Sequence, residues 1–180
     1  AFDGRRFAPD FESRPMNRYY FSLLLVMLHS FAVQAAEVVD DRGFRTSLPN
    51  PPQRIVSLLP SLTESICELG YCQRLVGVDR YSDFPASVQS LPQLGGGLDP
   101  NIEAIVALKP DVVLMAASSR AGERLRALGL NVVALEPKTH ADVQRVLRKI
   151  GYLLEAPDVD KIWRTIDAGV SAAAQSIPRS

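Results

Sequence analysis

From Arg54 onward the chain alternates between two patterns. Short runs of consecutive apolar residues give way to longer stretches whose apolar side chains recur every three or four positions. The first pattern marks a strand buried on both faces, the second a helix with one buried face. Strands are predicted over Ile55–Leu59, Leu75–Val78, Val112–Met115 and Val132–Leu135. After the first, Ser61-Leu62-Thr63-Glu64 has the spacing of a capping box; Leu62, Ile66 and Leu69 share a face and Gly70 ends the helix. Asn101–Leu108 is predicted helical with Ile102, Ile105 and Val106 inward. Ser118–Leu128 follows with Leu125 and Leu128 inward and Gly129 behind it. Thr139 is placed to cap a helix through Leu154, apolar at Val143, Val146, Leu147 and Ile150. Pro157–Ser176 reads as one long helix striped by Val159, Ile162, Trp163, Ile166 and Val170.

Buried strands alternating with amphipathic helices predict an α/β fold, a Rossmann-like open parallel sheet with helices on both faces, followed by the long helix. In such sheets ligands bind beyond the carboxyl ends of the strands. That rule gathers five loops on one edge: Pro60–Thr63, Asp79–Pro85, Gly95–Pro100, Ala116–Arg120 and Glu136–Thr139. The domain pattern is a lobe over residues 54–154, preceded by a polar, Pro-rich segment (36–53) with a short hairpin across Asp40–Phe44 and followed by the helix (155–180).

The front of the chain follows a different logic. Arg18 precedes an apolar run from Phe21 to Val33, and Val33-Gln34-Ala35 offers small residues at the positions a signal peptidase reads. The run is too short for a membrane span, which needs about 20 residues. Residues 16–35 are therefore expected to be an export signal cleaved after Ala35, with Met16 the initiator and residues 1–15 an upstream extension. Charge adds one exclusion: 20 basic and 20 acidic residues balance, leaving no basic field for nucleic acid. Cys67 and Cys72 are the only cysteines, too few for a zinc site, and are expected as free, half-buried thiols.

Candidate chemistry is sparse on the five loops. Gly95-Gly96-Gly97 matches neither the dinucleotide nor the phosphate-loop spacing and is expected to form a bend or cleft wall. Ser118-Ser119 lacks the surroundings of a nucleophile and is expected to cap a helix. His140 has no partner legible as a catalytic pair, and is expected at the surface; Glu64 and Glu68 sit one turn apart without forming an acid–base pair. Tyr81-Ser82-Asp83-Phe84-Pro85 puts aromatic faces on the ligand edge. Glu103 stands in a first helical turn, where the dipole favours a carboxylate.

Four stretches in order, RIVSLLPSLTE (54–64), LVGVDRYSDFP (75–85), NIEAIVALKPDVVL (101–114) and LRALGLNVVALEP (125–137), closely resemble periplasmic solute-binding proteins of the cobalamin and iron–siderophore class, nearest the cobalamin-binding branch. The resemblance covers Arg54 to about Ala174, and the ordered set is far more specific than any one motif. It implies two Rossmann-like lobes joined by a rigid helix, a ligand held between them, and no enzymatic activity or resident cofactor. On that reading this chain carries the first lobe and the start of the helix, truncated before the second. The resemblance implies a periplasmic location, a metal-chelate cargo, an ABC importer permease in the inner membrane as partner, and a monomer when full length. It makes Tyr81 the ligand-facing aromatic and gives Glu103 the role of docking against permease arginines; Pro60, Ser61, Gly96, Gly97, Ala116 and Ser118, on the loops of the same edge, are the other candidate ligand contacts. Where cobalamin-binding members carry two tryptophans, this sequence has Gly97 and Ala116, which leaves a corrinoid, a ferric siderophore or a haem-like chelate open. The alternative is a secreted Rossmann-type enzyme lobe holding a nucleotide at its glycine loop.

Overall fold

The computed structural model of the chain describes residues 36–176. The predicted upstream extension and export signal (1–35) lie outside the described residues. The described chain begins with an antiparallel hairpin, β1 (Ala36–Val39) and β2 (Arg45–Leu48), in register from Ala36 opposite Leu48 to Val39 opposite Arg45. Four strands then form a parallel sheet: β3 (Ile55–Ser57), β4 (Leu75–Val78), β5 (Val112–Met115) and β6 (Val132–Ala134), in the order β4-β3-β5-β6. The helices are α1 (Pro60–Glu68), α2 (Ile102–Ala107), α3 (Ala121–Ala127), α4 (His140–Leu154) and α5 (Val159–Ser176). Single 3-10 turns cover Cys72–Arg74 and Ala86–Ser90.

Side chains of a strand point alternately to the two faces of its sheet. The sheet therefore feeds two apolar layers, as the sequence pattern predicts. Ile55, Val112, Leu114 and Val133 join Leu62 and Ile66 of α1 and Val146, Leu147 and Ile150 of α4. Val56, Val113, Met115 and Val132 join Ile102 and Ile105 of α2 and Leu125 of α3. Every β5 residue is fully buried, which is why its sequence is a continuous apolar run.

Two helix starts show how local chemistry decides boundaries. Thr139 caps α4 as expected: its side chain accepts from the Asp142 N–H, and the Asp142 carboxylate accepts from the Thr139 N–H. The predicted capping box at Ser61–Glu64 does not form. The helix begins two residues earlier than that box requires, at Pro60, with Leu59 as its cap and no side-chain capping bond. Proline fits that first position because it has no N–H to leave unpaired and its φ is already helical. Ser61 and Glu64 thus lie inside the first turns.

Other expectations also shift. Val106 and Leu128, expected inward, are exposed: Val106 lies within α2, whose buried residues are Ile102 and Ile105, and Leu128 follows the end of α3 as its C-terminal cap. The third helix starts at Ala121 rather than Ser118, and its cap, Arg120, makes no side-chain capping bond. Cys67 and Cys72 are not free thiols but a disulfide. The helix ending at Glu68 and the turn beginning at Cys72 fold back on each other around Gly70, bringing the two sulfurs together.

The hairpin packs onto the lobe through its turn. The buried Asp40 carboxylate accepts from the N–H groups of Arg42, Phe44 and Ala134 and from Arg126 Nη2 at 2.7 Å. Asp41 accepts from the Glu136 N–H, from Lys149 Nζ and from Arg145. Burial raises the Asp41 pKa, but the Arg145, Glu136 and Lys149 contacts outweigh it and hold the carboxyl below its ordinary value. Helix α5 has no fully buried residue; it lies on the lobe through Val159, Ile162, Trp163 and Ile166. Gly151 permits the approach, since a Cβ there would meet Val159 at 2.3 Å.

The cap of α4 also generates a pH dependence. The Thr139 hydroxyl, followed by Arg145, holds the Asp142 pKa at about 2. The folded value lies below the unfolded one of about 3.9, so this stabilisation is present above about pH 4 and is lost as pH falls toward 2. Asp142→Asn should lower the melting temperature at pH 7, and the gap to wild type should close on titration to acid, as followed by circular dichroism.

Candidate functional site

The strand order locates a crevice. β3 leads into α1 on one face of the sheet, whereas its neighbour β5 leads into α3 on the other. The chain parts in opposite directions between them, so an opening forms at their carboxyl ends. Pro60 and Ser61 stand on one side and Ala116 and Ser118 on the other. Ser61 and Ser118 are exposed; Pro60 and Ala116 are half-buried.

The glycine loop lies across this crevice. A Cβ on Gly97 would meet the Leu58 carbonyl at 3.1 Å, and Ser119 Oγ donates to the Gly97 carbonyl at 2.6 Å. Gly95 adopts φ +90°, a left-handed conformation that favours glycine, and its carbonyl accepts from the Arg80 N–H. Gly96 is buried, where a Cβ would meet Asp99 Oδ1 at 2.5 Å. Its position serves packing of the loop against Asp99. Of the two serines expected to cap a helix, Ser119 accepts from the N–H of Ala121, the first residue of α3, and also fastens the glycine loop, while Ser118 instead donates through N–H and hydroxyl to the Glu136 carboxylate at 2.9 and 3.1 Å. These serines link the loops after β5 and β6 and the glycine loop.

The loop after β4 is held from beneath. Thr63 Oγ1 of α1 donates to Ser57 Oγ at 2.8 Å and lies 2.9 Å from Ser82 Oγ, which donates to the Asp79 carboxylate. The second Asp79 oxygen accepts from the Tyr81 N–H at 3.0 Å. Ser57, Thr63, Asp79 and Ser82 are all buried. Above this network the Tyr81 side chain is 65% exposed on the edge. Arg80 reaches the other way and pairs with Asp99 at 2.9 Å, tying the Tyr81 loop to the glycine loop. Leu98, 82% exposed, projects from that second loop. An exposed phenol and an exposed aliphatic side chain thus flank an opening floored by polar backbone.

Residues 55–180 match the profile of the family named Periplasmic binding protein. The chain belongs to this family. It is 33% identical over 110 residues to a vitamin B12-binding protein of Pectobacterium carotovorum, an alignment covering 59% of this chain and 40% of that protein. Over 133 residues it is 32% identical to an uncharacterized ABC transporter substrate-binding lipoprotein of Bacillus subtilis, covering 68% and 42%. Its fold matches the periplasmic haem-binding protein of Vibrio cholerae with a TM-score of 0.63 at 25% identity, covering 71% of this chain and 51% of that one. The chain spans roughly two fifths to one half of the length of these relatives.

Within this family lobe the sequence-predicted residues separate into groups. Pro60, Ser61, Gly97, Ala116, Ser118 and Tyr81 come together around the carboxyl edge, while Gly96 is buried behind it. Glu103 is exposed in the first turn of α2, on the face of the sheet that α3 also covers. Leu98 and the buried network escaped the sequence reading. Ser57 at the end of an apolar run and Thr63 on the apolar side of α1 were the available signal; Asp79 and Ser82 stand in a polar loop and gave none. Among the described residues no group of three or more His, Cys, Asp and Glu is arranged to hold a metal ion.

The network makes a stability prediction. Thr63→Val keeps the side-chain shape but leaves Ser57 and Ser82 short of a partner, which should cost about 1–3 kcal/mol in denaturant unfolding. Thr63→Ser, which restores the hydroxyl, should recover most of the loss.

Proposed function

We propose that this chain is the ligand-capturing lobe of a periplasmic substrate-binding component of an ABC importer. The observation that carries the reading is the carboxyl edge itself: Tyr81 and Leu98 stand exposed above a crevice whose loops are cross-tied and whose supporting polar groups are satisfied. Such an edge offers flat apolar contact to a bulky ligand and presents no pair of groups suited to acid–base or nucleophilic chemistry. The relatives' names supply the ligand class. A vitamin B12-binding protein and a haem-binding protein both carry a metal held in a large planar ring. We accordingly read the cargo as a metal chelate of that class, with Pro60, Ser61, Gly97, Ala116 and Ser118 bordering it. The metal arrives inside the cargo.

One lobe covers only part of a bulky ligand, whereas ligand sites bury most of a small molecule's surface. The relatives are about twice as long, which supports a second lobe closing over this edge. The Cys67–Cys72 disulfide supports residence in an oxidising compartment, in keeping with the reading of residues 16–35 as an export signal. The nucleotide alternative loses support at the glycine loop, where the Gly97 carbonyl is engaged by Ser119 and Gly96 packs against Asp99.

Titration of cobalamin, cobinamide, haemin and a ferric siderophore into the full-length, two-lobed protein tests the reading, and no binding by any of them would overturn it. Tyr81→Ala should weaken the chelate that binds by about 1–3 kcal/mol, the value of a lost aromatic contact. Glu103→Ala should leave chelate affinity unchanged while weakening uptake through the importer, because an exposed carboxylate on α2 is free to meet a permease arginine. Vesicle uptake and equilibrium binding, measured on the same variants, separate the two effects.

A further inference from the structure

A hollow of about 610 Å³ lies where the hairpin meets the far end of α4, away from the carboxyl edge. Ala36 lines it from β1, Arg148, Tyr152 and Glu155 from α4 and its C-terminal cap, and Asp160 from α5. Arg148 and Asp160 answer each other at 2.9 Å. Glu155 is exposed and has no ion-pair partner among the described residues. The carbonyl end of α4 adds partial negative charge at the same place. The hollow is therefore set to receive a cation.

The path of β1 shows which group stands there. The strand runs against the direction of α4: Asp41 pairs with Arg145, and the Val39 carbonyl accepts from Lys149 Nζ at 2.8 Å. Three residues back along a strand cover about 10 Å, as do about six or seven residues along a helix. Ala36 thus falls opposite Glu155, and the two line one hollow. Its methyl side chain is buried and brings no charge. A free amino group on the same residue would bring one.

We propose that export processing supplies the cation: cleavage after Ala35 frees an ammonium group on Ala36, which docks in this hollow against Glu155 and pins the leading end of β1 to α4. The inference rests on the reading of residues 16–35 as an export signal. A signal peptidase adds water across the Ala35–Ala36 peptide bond, leaving a carboxylate on the released signal and an amine on Ala36. Such an amine ordinarily titrates near about 8, so at neutral pH it is protonated. An uncleaved chain has an uncharged amide at this point and leaves Glu155 unanswered. Processing then does more than release the protein, because it completes the seating of the hairpin.

The test starts from the full chain exported by a bacterial host. The mass of the purified protein should place its first residue at Ala36, and any other first residue would overturn the proposal at its export step. Amide hydrogen exchange over β1 then reads the docking. Inserting Gly-Ser between Ala35 and Ala36 moves the ammonium about 7 Å along the strand direction without changing any charge. It should quicken exchange over β1 about two- to fivefold, the range expected of a charge at a helix end. Glu155→Gln, at an exposed position, should do the same with circular dichroism unchanged. The two changes together should quicken exchange no further than either alone, since both remove one contact. Exchange unmoved by the insertion, or effects that multiply in the combined variant, would overturn the docking while leaving the export reading intact.

Discussion

A chain of hydrogen bonds without access to water runs beneath the candidate site, from Ser57 at the end of β3 through Thr63 of α1 and Ser82 to Asp79 after β4. Water offers no substitute there, so an unpaired hydroxyl or carboxylate would bear its full desolvation cost. The arrangement that satisfies all four groups fixes three elements against one another: the end of a strand, the first turns of a helix and the loop that carries Tyr81. Tyr81 is exposed, but its backbone N–H is bound to Asp79 and its position follows from the network below. On the proposed reading, a surface held this way needs little ordering when a ligand arrives, which favours affinity.

The fold was legible where burial dominates. Strands covered on both faces have to be apolar at every position, and the runs Val112–Met115 and Val132–Leu135 announce them. Thr139 and Asp142 were readable because their capping chemistry is local. Sequence reasoning failed where two local rules competed, as at Pro60, whose preference for the first helical position displaced the box expected at Ser61 and Glu64. It also failed where partners are distant in sequence. Nothing near Ser119 indicates that its hydroxyl binds Gly97, 22 residues away, or that Ser118 binds Glu136.

The site divides in the same way. The carboxyl edge proposed to hold it follows from alternation alone, and the exposed Tyr81 was visible as an aromatic in a predicted loop. Leu98 was not, since an isolated leucine after three glycines resembles the start of a buried segment; only the loop's path turns it outward. The Arg80–Asp99 pair depends on that path as well. Fold-level rules state where a ligand sits; the cross-ties among loops determine which side chains face it.

The hairpin has a consequence for the order in which the chain can settle during synthesis. β1 and β2 are among the first described elements to emerge, yet their anchors come late. The Asp40 carboxylate waits for Arg126 and the Ala134 N–H, Asp41 for Glu136, Arg145 and Lys149, and the Val39 carbonyl for Lys149, 110 residues downstream. Contacts of such separation form only after most of the lobe has been made. The hairpin therefore remains without its tertiary partners until α4 exists, so its place on the lobe is fixed only late in synthesis.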